Sequence, residues 1–280
     1  MNNTTHRAGL AQILLAVAAL GGGHAAASGE IVFFYDAENG VTPEDVGMIP
    51  FGPVSGQLNS TAGVPGLGDA VWEMSVNGSE GDYLLPLDGL ADLGSSFRFT
   101  AHVRGLNGIP SGNASGTLNR NRPDGAASSA NVSNLQIGEW NVLSLFWDSD
   151  FDEFRMARWR VDHQTGELTL VRCQTADFIF TPTPGASQHP NSISIRVANN
   201  GSTFLRTQWD NLVFENLDTV CRADIAPPFG VLDLSDVTAF ASGMVDERLD
   251  SDITPAYCTL DLNDVTAFIA LFLTNCAPLP

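Results

Sequence analysis

Six aspartates in the last quarter of the chain stand at repeated positions. Asp224, Asp233 and Asp236 recur 28 residues later as Asp252, Asp261 and Asp264, each trio spread over a loop that runs into an apolar helix pattern. Carboxylates at the start and end of such a loop supply the hard oxygen ligands that Ca²⁺ takes, so both loops are candidate calcium sites, and Ca²⁺ is the one cofactor the sequence suggests. An EF-hand loop also carries Asp or Asn at its third and fifth positions, where these loops have Ala226 and Pro228, then Thr254 and Ala256. Cys258 stands where the first copy has Gly230. The competing reading, which those departures favour, is that the aspartates cap helix N-termini.

A second group with chemical potential is basic. Arg98, Thr100, His102 and Arg104 alternate with Phe97, Phe99, Ala101 and Val103, which places the polar set on one face of a strand. Arginine forms bidentate contacts with carboxylates and sulfates, so Arg98 and Arg104 are candidate ligand-binding residues for acidic glycans, with Arg155, Arg158, Arg160 and Arg196 as extensions. Trp159, between Arg158 and Arg160, is the tryptophan best placed to stack on a sugar; Trp72, Trp140, Trp147 and Trp209 read as core. The plain alternative is an outward face whose arginines balance an acidic surface. Asp148, Asp150, Asp152 and Glu153 fall in a hairpin turn and read as a solvated acidic turn, so no catalytic residue is assigned.

The elements that would carry these groups are of two kinds. Residues 28–218 show period-two alternation, as in Ile193, Ile195 and Val197 against Ser194, Arg196 and Ala198. Turn-forming stretches at Asp148–Asp152 and Asp162–Gly166 separate apolar runs as hairpins do. That pattern predicts a mainly β domain, an antiparallel two-sheet sandwich. Residues 219–280 hold the repeat, whose helices carry apolar stripes at Val237, Phe240, Ala241 and Met244, then Val265, Phe268, Ile269 and Phe272.

The 280 residues include 32 Asp+Glu against 13 Lys+Arg, a formal net charge of -19 that opposes binding to nucleic acid. All 13 basic residues are Arg, so Walker-type phosphate loops, Schiff-base chemistry and lysine general bases are excluded. Residues 1–27 read as a secretory signal peptide, with His6 and Arg7, an apolar run from Ala8 to Leu20 and Ala25-Ala26-Ala27 before cleavage near Ser28. No later run is long enough to span a bilayer. An exported chain with four cysteines favours disulfides, of which three connectivities are possible. Cys221–Cys276 is the first choice, because it closes a 55-residue loop around the repeat and stabilises it by roughly 4 kcal/mol in the chain-entropy model. Cys173 is then left with Cys258.

The repeat resembles a known family. Asp224-Ile225-Ala226-Pro227-Pro228-Phe229-Gly230-Val231-Leu232-Asp233-Leu234-Ser235-Asp236-Val237-Thr238-Ala239-Phe240, its second copy and the flanking Cys221 and Cys276 resemble the GC-type dockerin domain. That resemblance implies a small α-helical attachment module that docks to a cohesin-like or other surface protein. Gly138-Glu139-Trp140-Asn141-Val142-Leu143 and Trp209-Asp210-Asn211-Leu212-Val213-Phe214 are similar to strands of concanavalin-A-like and laminin-G-like jelly rolls. The jelly-roll resemblance motivates a structural Ca²⁺ where Asp210 meets Asp36 or Glu38, the alternative being a hydrogen bond from Asp210 to a neighbouring loop. The E-x-D-x-x-E strand of laminarinase-like jelly rolls is absent, as are the Lys and Q-x-H of jelly-roll alginate lyases. The expectation is therefore an exported, surface-attached, non-catalytic protein whose sandwich recognises a ligand, chiefly polysaccharide. A tethered glycoside hydrolase or lyase is the first alternative and a structural protein binding other proteins the second.

Overall fold

The computed structural model describes residues 30–276 apart from 62, 65–67, 78–79, 91–92, 107–114, 122–126, 134–137, 150–152, 163, 166, 176–189, 199–203, 219, 227–230, 247 and 255–257. The signal-peptide segment and Asp150 and Asp152 of the acidic turn lie outside the described residues. The chain divides into two units, one holding Ile31–Asn216 and the other centred on Leu217–Pro280.

The first unit is a sandwich of two antiparallel sheets. In chain order its strands are β1 (Glu30–Tyr35), β2 (Ile49–Phe51), β3 (Val54–Asn59), β4 (Val71–Asn77), β5 (Glu80–Pro86), β6 (Phe97–Gly105), β7 (Ser115–Asn121), β8 (Ala127–Ser133), β9 (Asn141–Asp148), β10 (Glu153–Val161), β11 (Leu168–Thr175), β12 (Ser192–Ala198) and β13 (Phe204–Asn216). One sheet has the order β11-β10-β9-β6-β13-β4-β3, with β1 also paired to β13; the other has the order β2-β5-β12-β7-β8.

The alternation expected from the sequence positions the core. Phe97, Phe99, Ala101 and Val103 of β6 and Ile193, Ile195 and Val197 of β12 are all fully buried between the sheets. Trp147, Trp209, Leu145 and Phe214 join them, and the Phe214 ring packs on Phe97 and Phe99 at 4.8 and 5.4 Å. Both turn-forming stretches connect antiparallel neighbours, β9 to β10 and β10 to β11. Burial of apolar surface on this scale supplies the driving force for the sandwich.

Gly56 on β3 shows how tight the packing is at one edge. A Cβ built there would fall inside the Trp72 indole. Gly56→Ala is therefore expected to destabilise the sandwich by about 1–3 kcal/mol, seen as a lower urea midpoint with an unchanged slope.

The second unit contains α1 (Leu234–Val245) and α2 (Leu262–Leu273). Phe240 and Phe268 stack with ring centroids 4.1 Å apart, and Ala223, Ile225, Ala226, Ala239 and Ile253 complete a small core. Of the expected stripes, Phe240 and Phe268 are buried in this core and Met244, Val265 and Phe272 pack against it. Ala239 and Gly243 are buried while Val237, Ala241 and Ile269 are exposed. Asp236 and Asp264, at the helix starts, are fully buried. Cys221 and Cys276 form a disulfide, with Cα atoms 5.5 Å apart and 55 residues between them in sequence. No helix among the described residues is long and apolar enough to cross a membrane.

Candidate functional site

The expected arginine row lies on the outer face of the eight-stranded sheet, where the side chains of β6 alternate away from the core. Its chemistry is largely used within the fold. Arg98 donates from Nε to Glu215 Oε2 at 2.7 Å and from Nη2 to Glu215 Oε1 at 3.0 Å, the bidentate geometry that a ligand carboxylate would otherwise occupy. Arg104 donates to Gln208 Oε1 at 2.6 Å and lies 4.8 Å over the Trp140 ring. Glu73 on β4 receives Arg206 Nε at 2.9 Å, Gln208 Nε2 at 3.0 Å and Asn59 Nδ2 at 3.2 Å. Burial alone would raise the Glu73 carboxyl, but these donors outweigh it and hold it below the usual range.

Trp159 is half-buried on β10 and shares this face, since it pairs with Val142, which pairs with His102. The arginines that were to extend the row are divided by the topology. Arg155 shares its face, Arg158 and Arg160 occupy the opposite face of β10, and Arg196 lies in the other sheet.

His102 is almost wholly buried, and burial pushes its imidazole down to about 4. The folded state resists protonation that the unfolded chain accepts, so this residue contributes stability above pH 6.5 that is lost as pH falls toward 4. Asp210 on β13 is the charged group paired across from it. His102→Gln is expected to shallow the decline in melting temperature between pH 6.5 and 4, measured by circular dichroism.

Asp210 sits at the start of an irregularity in β13, where Asn211 takes φ 48°. Its Oδ1 accepts the Asn211 N–H at 2.8 Å, and the Ala37 backbone N–H is a second donor to the carboxylate. Burial, and then the charges of Asp36 and Glu38, push its carboxyl up to about 8. Asp36 is likewise raised, by burial first and the Glu38 charge second, although its Oδ1 accepts the Glu38 N–H at 2.8 Å and so caps the single 3₁₀ turn Ala37–Asn39. The resemblance suggested that Asp210 meets Asp36 or Glu38, and the charges of both act on it, while the Ala37 N–H provides the alternative, a hydrogen bond to a neighbouring loop. The Glu38 carboxylate in turn accepts the Ala70 N–H, so backbone donors already serve these acids.

In the repeat loops the aspartates act on the backbone. Asp233 and Asp261 are the N-caps of α1 and α2, accepting from Ser235 N at 2.7 Å and Asn263 N at 2.6 Å. Asp236 Oδ1 accepts the N–H groups of Ile225 and Ala226, both at 2.9 Å, and its Oδ2 accepts that of Asp233 at 2.9 Å. Asp264 repeats the arrangement with Ile253, Thr254 and Asp261, each at 2.9 Å. Each inward carboxylate thus ties the start of its loop to the start of its helix. Asp224 and Asp252 are buried, and Asp252 Oδ2 accepts the Cys258 N–H at 2.5 Å. Cys258 takes φ 73°, a left-handed conformation that favours glycine. Cys173 lies on β11 of the sandwich.

Asp236→Asn replaces one accepting oxygen with an NH2 donor that faces a backbone N–H, and is expected to destabilise the second unit by about 1–3 kcal/mol, equally with and without calcium. Loss of that stability only in the presence of calcium would instead identify Asp236 as a ligand.

The solvent face of the five-stranded sheet was not anticipated. Tyr83 and Leu85 of β5 point into the core, so Asp82 and Leu84 point out. The pairings Phe51↔Asp82 and Asp82↔Arg196 place an aromatic ring, a carboxylate and a guanidinium in one row across β2, β5 and β12. Phe51 is 65% exposed and Ile49, two residues back on the same strand face, 53%. Arg196 Nε stands 3.6 Å from Asp82 Oδ1, a loose ion pair that leaves the carboxyl pushed up by burial to about 6. Nothing in the sequence marked this row, because a three-residue strand has no periodicity and its partners lie 31 and 145 residues away.

No protein-family model matches the chain, and no curated protein does. Among solved structures the chain is similar to the CBM22-1 xylan-binding domain of Paenibacillus barcinonensis Xyn10C, at 11% identity over 68% of this chain and 97% of that one, with a TM-score of 0.41. It is similar also to the C-terminal family 22 carbohydrate-binding module of Clostridium thermocellum Xyn10B, at 10% identity over 68% and 95%, TM-score 0.39. Cellulose induced protein Cip1 matches at 11% identity over 66% and 97%, TM-score 0.44. Likenesses of this size leave the function to be argued from the chain's own residues.

Proposed function

We propose that this is an exported, non-catalytic protein whose β-sandwich recognises polysaccharide while its duplicated C-terminal unit attaches it to a protein partner at a surface. One observation carries the recognition half: Ile49 and Phe51 stand exposed on the five-stranded sheet beside the half-buried Asp82–Arg196 pair. An apolar platform with a few convergent polar groups is the usual composition of a ligand site. Pro50 lies between the two apolar residues on an edge strand and removes a backbone donor there, so this edge is a poor template for adding a strand from another protein.

The attachment half is supported by the repeat. Leu234 and Leu262, directly after the N-caps, and Val245 and Leu273, at the helix ends, are strongly exposed at positions equivalent by the 28-residue period. Such paired apolar groups suit docking to a cohesin-like or other surface protein. Calcium enters this reading as a structural ion held by Asp210, Asp36 and Glu38, and its role there is to fix the 3₁₀ turn against β13.

The enzyme alternative has one observation in its favour, since a carboxyl near pH 6 on an open face suits a general acid. Glycoside hydrolysis by the usual route needs a second carboxylate about 5–10 Å away, and the cross-strand neighbours of Asp82 are Phe51 and Arg196. The reading is tested by screening the full chain against a polysaccharide panel while assaying the same wells for new reducing ends. Binding without cleavage is expected, and cleavage abolished by Asp82→Asn would replace this function with the enzymatic one.

A further inference from the structure

Resting on the polysaccharide reading, we propose that Arg160 and Arg172, beside Arg158 on the β10–β11 hairpin, take the carboxylate or sulfate groups of a sparsely charged glycan. The register puts Arg158 directly opposite Arg172, and Arg160 follows two residues on along the same face of β10. Elsewhere the sheets set arginine against acid: Arg98 faces Glu215, Arg196 faces Asp82 and Arg206 reaches Glu73. Here two guanidiniums stand on directly opposed residues, whose Cβ atoms lie about 5 Å apart in such a pair, an arrangement that costs stability. Among the described residues the acid that acts on this group is Glu139, whose Oε2 is 3.2 Å from Arg160 Nε. The ladder also slips between Arg158 and Trp159, leaving Val171 out of register, a bulge of the kind that re-aims side chains beside a site.

The exposed members of the group are the ones a ligand meets. Arg158 is half-buried, and burial first, then the charges of Arg172 and Arg160, hold its guanidinium below the ordinary arginine value. It acts as a fixed positive charge behind the other two. The Arg160 side chain is 47% exposed, and Arg172 is exposed and makes no ion pair among the described residues. A guanidinium presents five N–H donors in a planar fork that matches carboxylate and sulfate oxygens. An anion held between Arg160 and Arg172 also offsets the repulsion within the group. Net charge then limits the ligand. At 0.1 M salt charges act over about 10 Å, so a lone carboxylate at the hairpin feels chiefly the three guanidiniums. A densely charged chain lays further anions against a molecule of net charge -19, and an acidic protein or a second copy of this chain meets the same repulsion over a broader face. The class that fits is a neutral backbone with scattered carboxylates or sulfates.

The test titrates the full chain with glucan, mannan and xylan, each unmodified, lightly carboxymethylated and heavily carboxymethylated, at low and high salt. The variants are Arg172→Glu, Arg160→Gln and Phe51→Ala, the last on the other sheet, so that it reports on the polysaccharide reading separately. Light carboxymethylation is expected to tighten wild-type binding about tenfold, and high salt or heavy carboxymethylation to erase the gain. Arg160→Gln is expected to reduce the gain. Arg172→Glu is expected to abolish it while raising the melting temperature, because an ion pair replaces two opposed arginines; abolition with a lowered melting temperature would mean that Arg172 is structural and overturn the site. No gain from light carboxymethylation, with unmodified glycan still bound through Phe51, would overturn this inference alone, as would a gain indifferent to Arg160 and Arg172. Tightest binding to the heavily carboxymethylated forms would overturn the selectivity, and Arg172-dependent binding of poly-glutamate in place of any glycan would overturn the ligand class. Binding of no glycan at all would overturn the polysaccharide reading and this inference together.

Discussion

Stripping the full chain with a chelator is expected to lower its melting temperature by about 5–10 °C relative to calcium-saturated protein, and Asp210→Asn is expected to abolish the difference. The magnitude follows from mass action: an ion at about 100 times its dissociation constant stabilises the folded state by about 2.7 kcal/mol. A domain of this size shifts by about 2–4 °C per kcal/mol. The source is the buried carboxylate of Asp210, which the charges of Asp36 and Glu38 raise and an ion would neutralise. The sign in chelator is equally informative. Without an ion the asparagine variant should be about as stable as wild type, since the carboxyl, raised to about 8, is already largely neutral near pH 7 and the amide oxygen still accepts the Asn211 N–H; with calcium it should be less stable. A wild-type melt that ignores calcium, measured by calorimetry across a chelator titration, would show that these acids are neutralised by protons alone.

The second large effect concerns the 55-residue loop closed by Cys221 and Cys276. The replacement of both by alanine is expected to cost about 2–5 kcal/mol, enough to melt a unit whose core consists of two stacked phenylalanines and a few small aliphatic residues. Native-state hydrogen exchange should then show the amides of α1 and α2 losing protection while those of β6 and β13 keep theirs. The contrast arises because the sandwich has its own larger core. Unchanged protection in both helices would mean that the capped loops hold the unit without the clasp.

Much of this architecture was legible because it is local. Alternation in Phe97–Val103 and Ile193–Val197 has a period of two whatever lies across the sheet, and it located two central strands. The aspartate pairs at positions 233 and 236, and 261 and 264, carry their capping role within one helical turn. What was not legible depends on register between distant strands. Arg98 reads as an available cation until β6 is laid against β13 and Glu215 appears opposite it, 117 residues later. Arg196 reads as an extension of the same row until its strand is found in the other sheet, facing Asp82.

Isothermal titration of the full chain, wild type against Phe51→Ala, with the best neutral polysaccharide from the panel addresses the central claim most directly. The account predicts saturable binding to wild type, no reducing ends formed, and at least a tenfold loss of affinity in a variant that melts at the wild-type temperature. Equal affinity in the two proteins, or no polysaccharide bound by either, would contradict it.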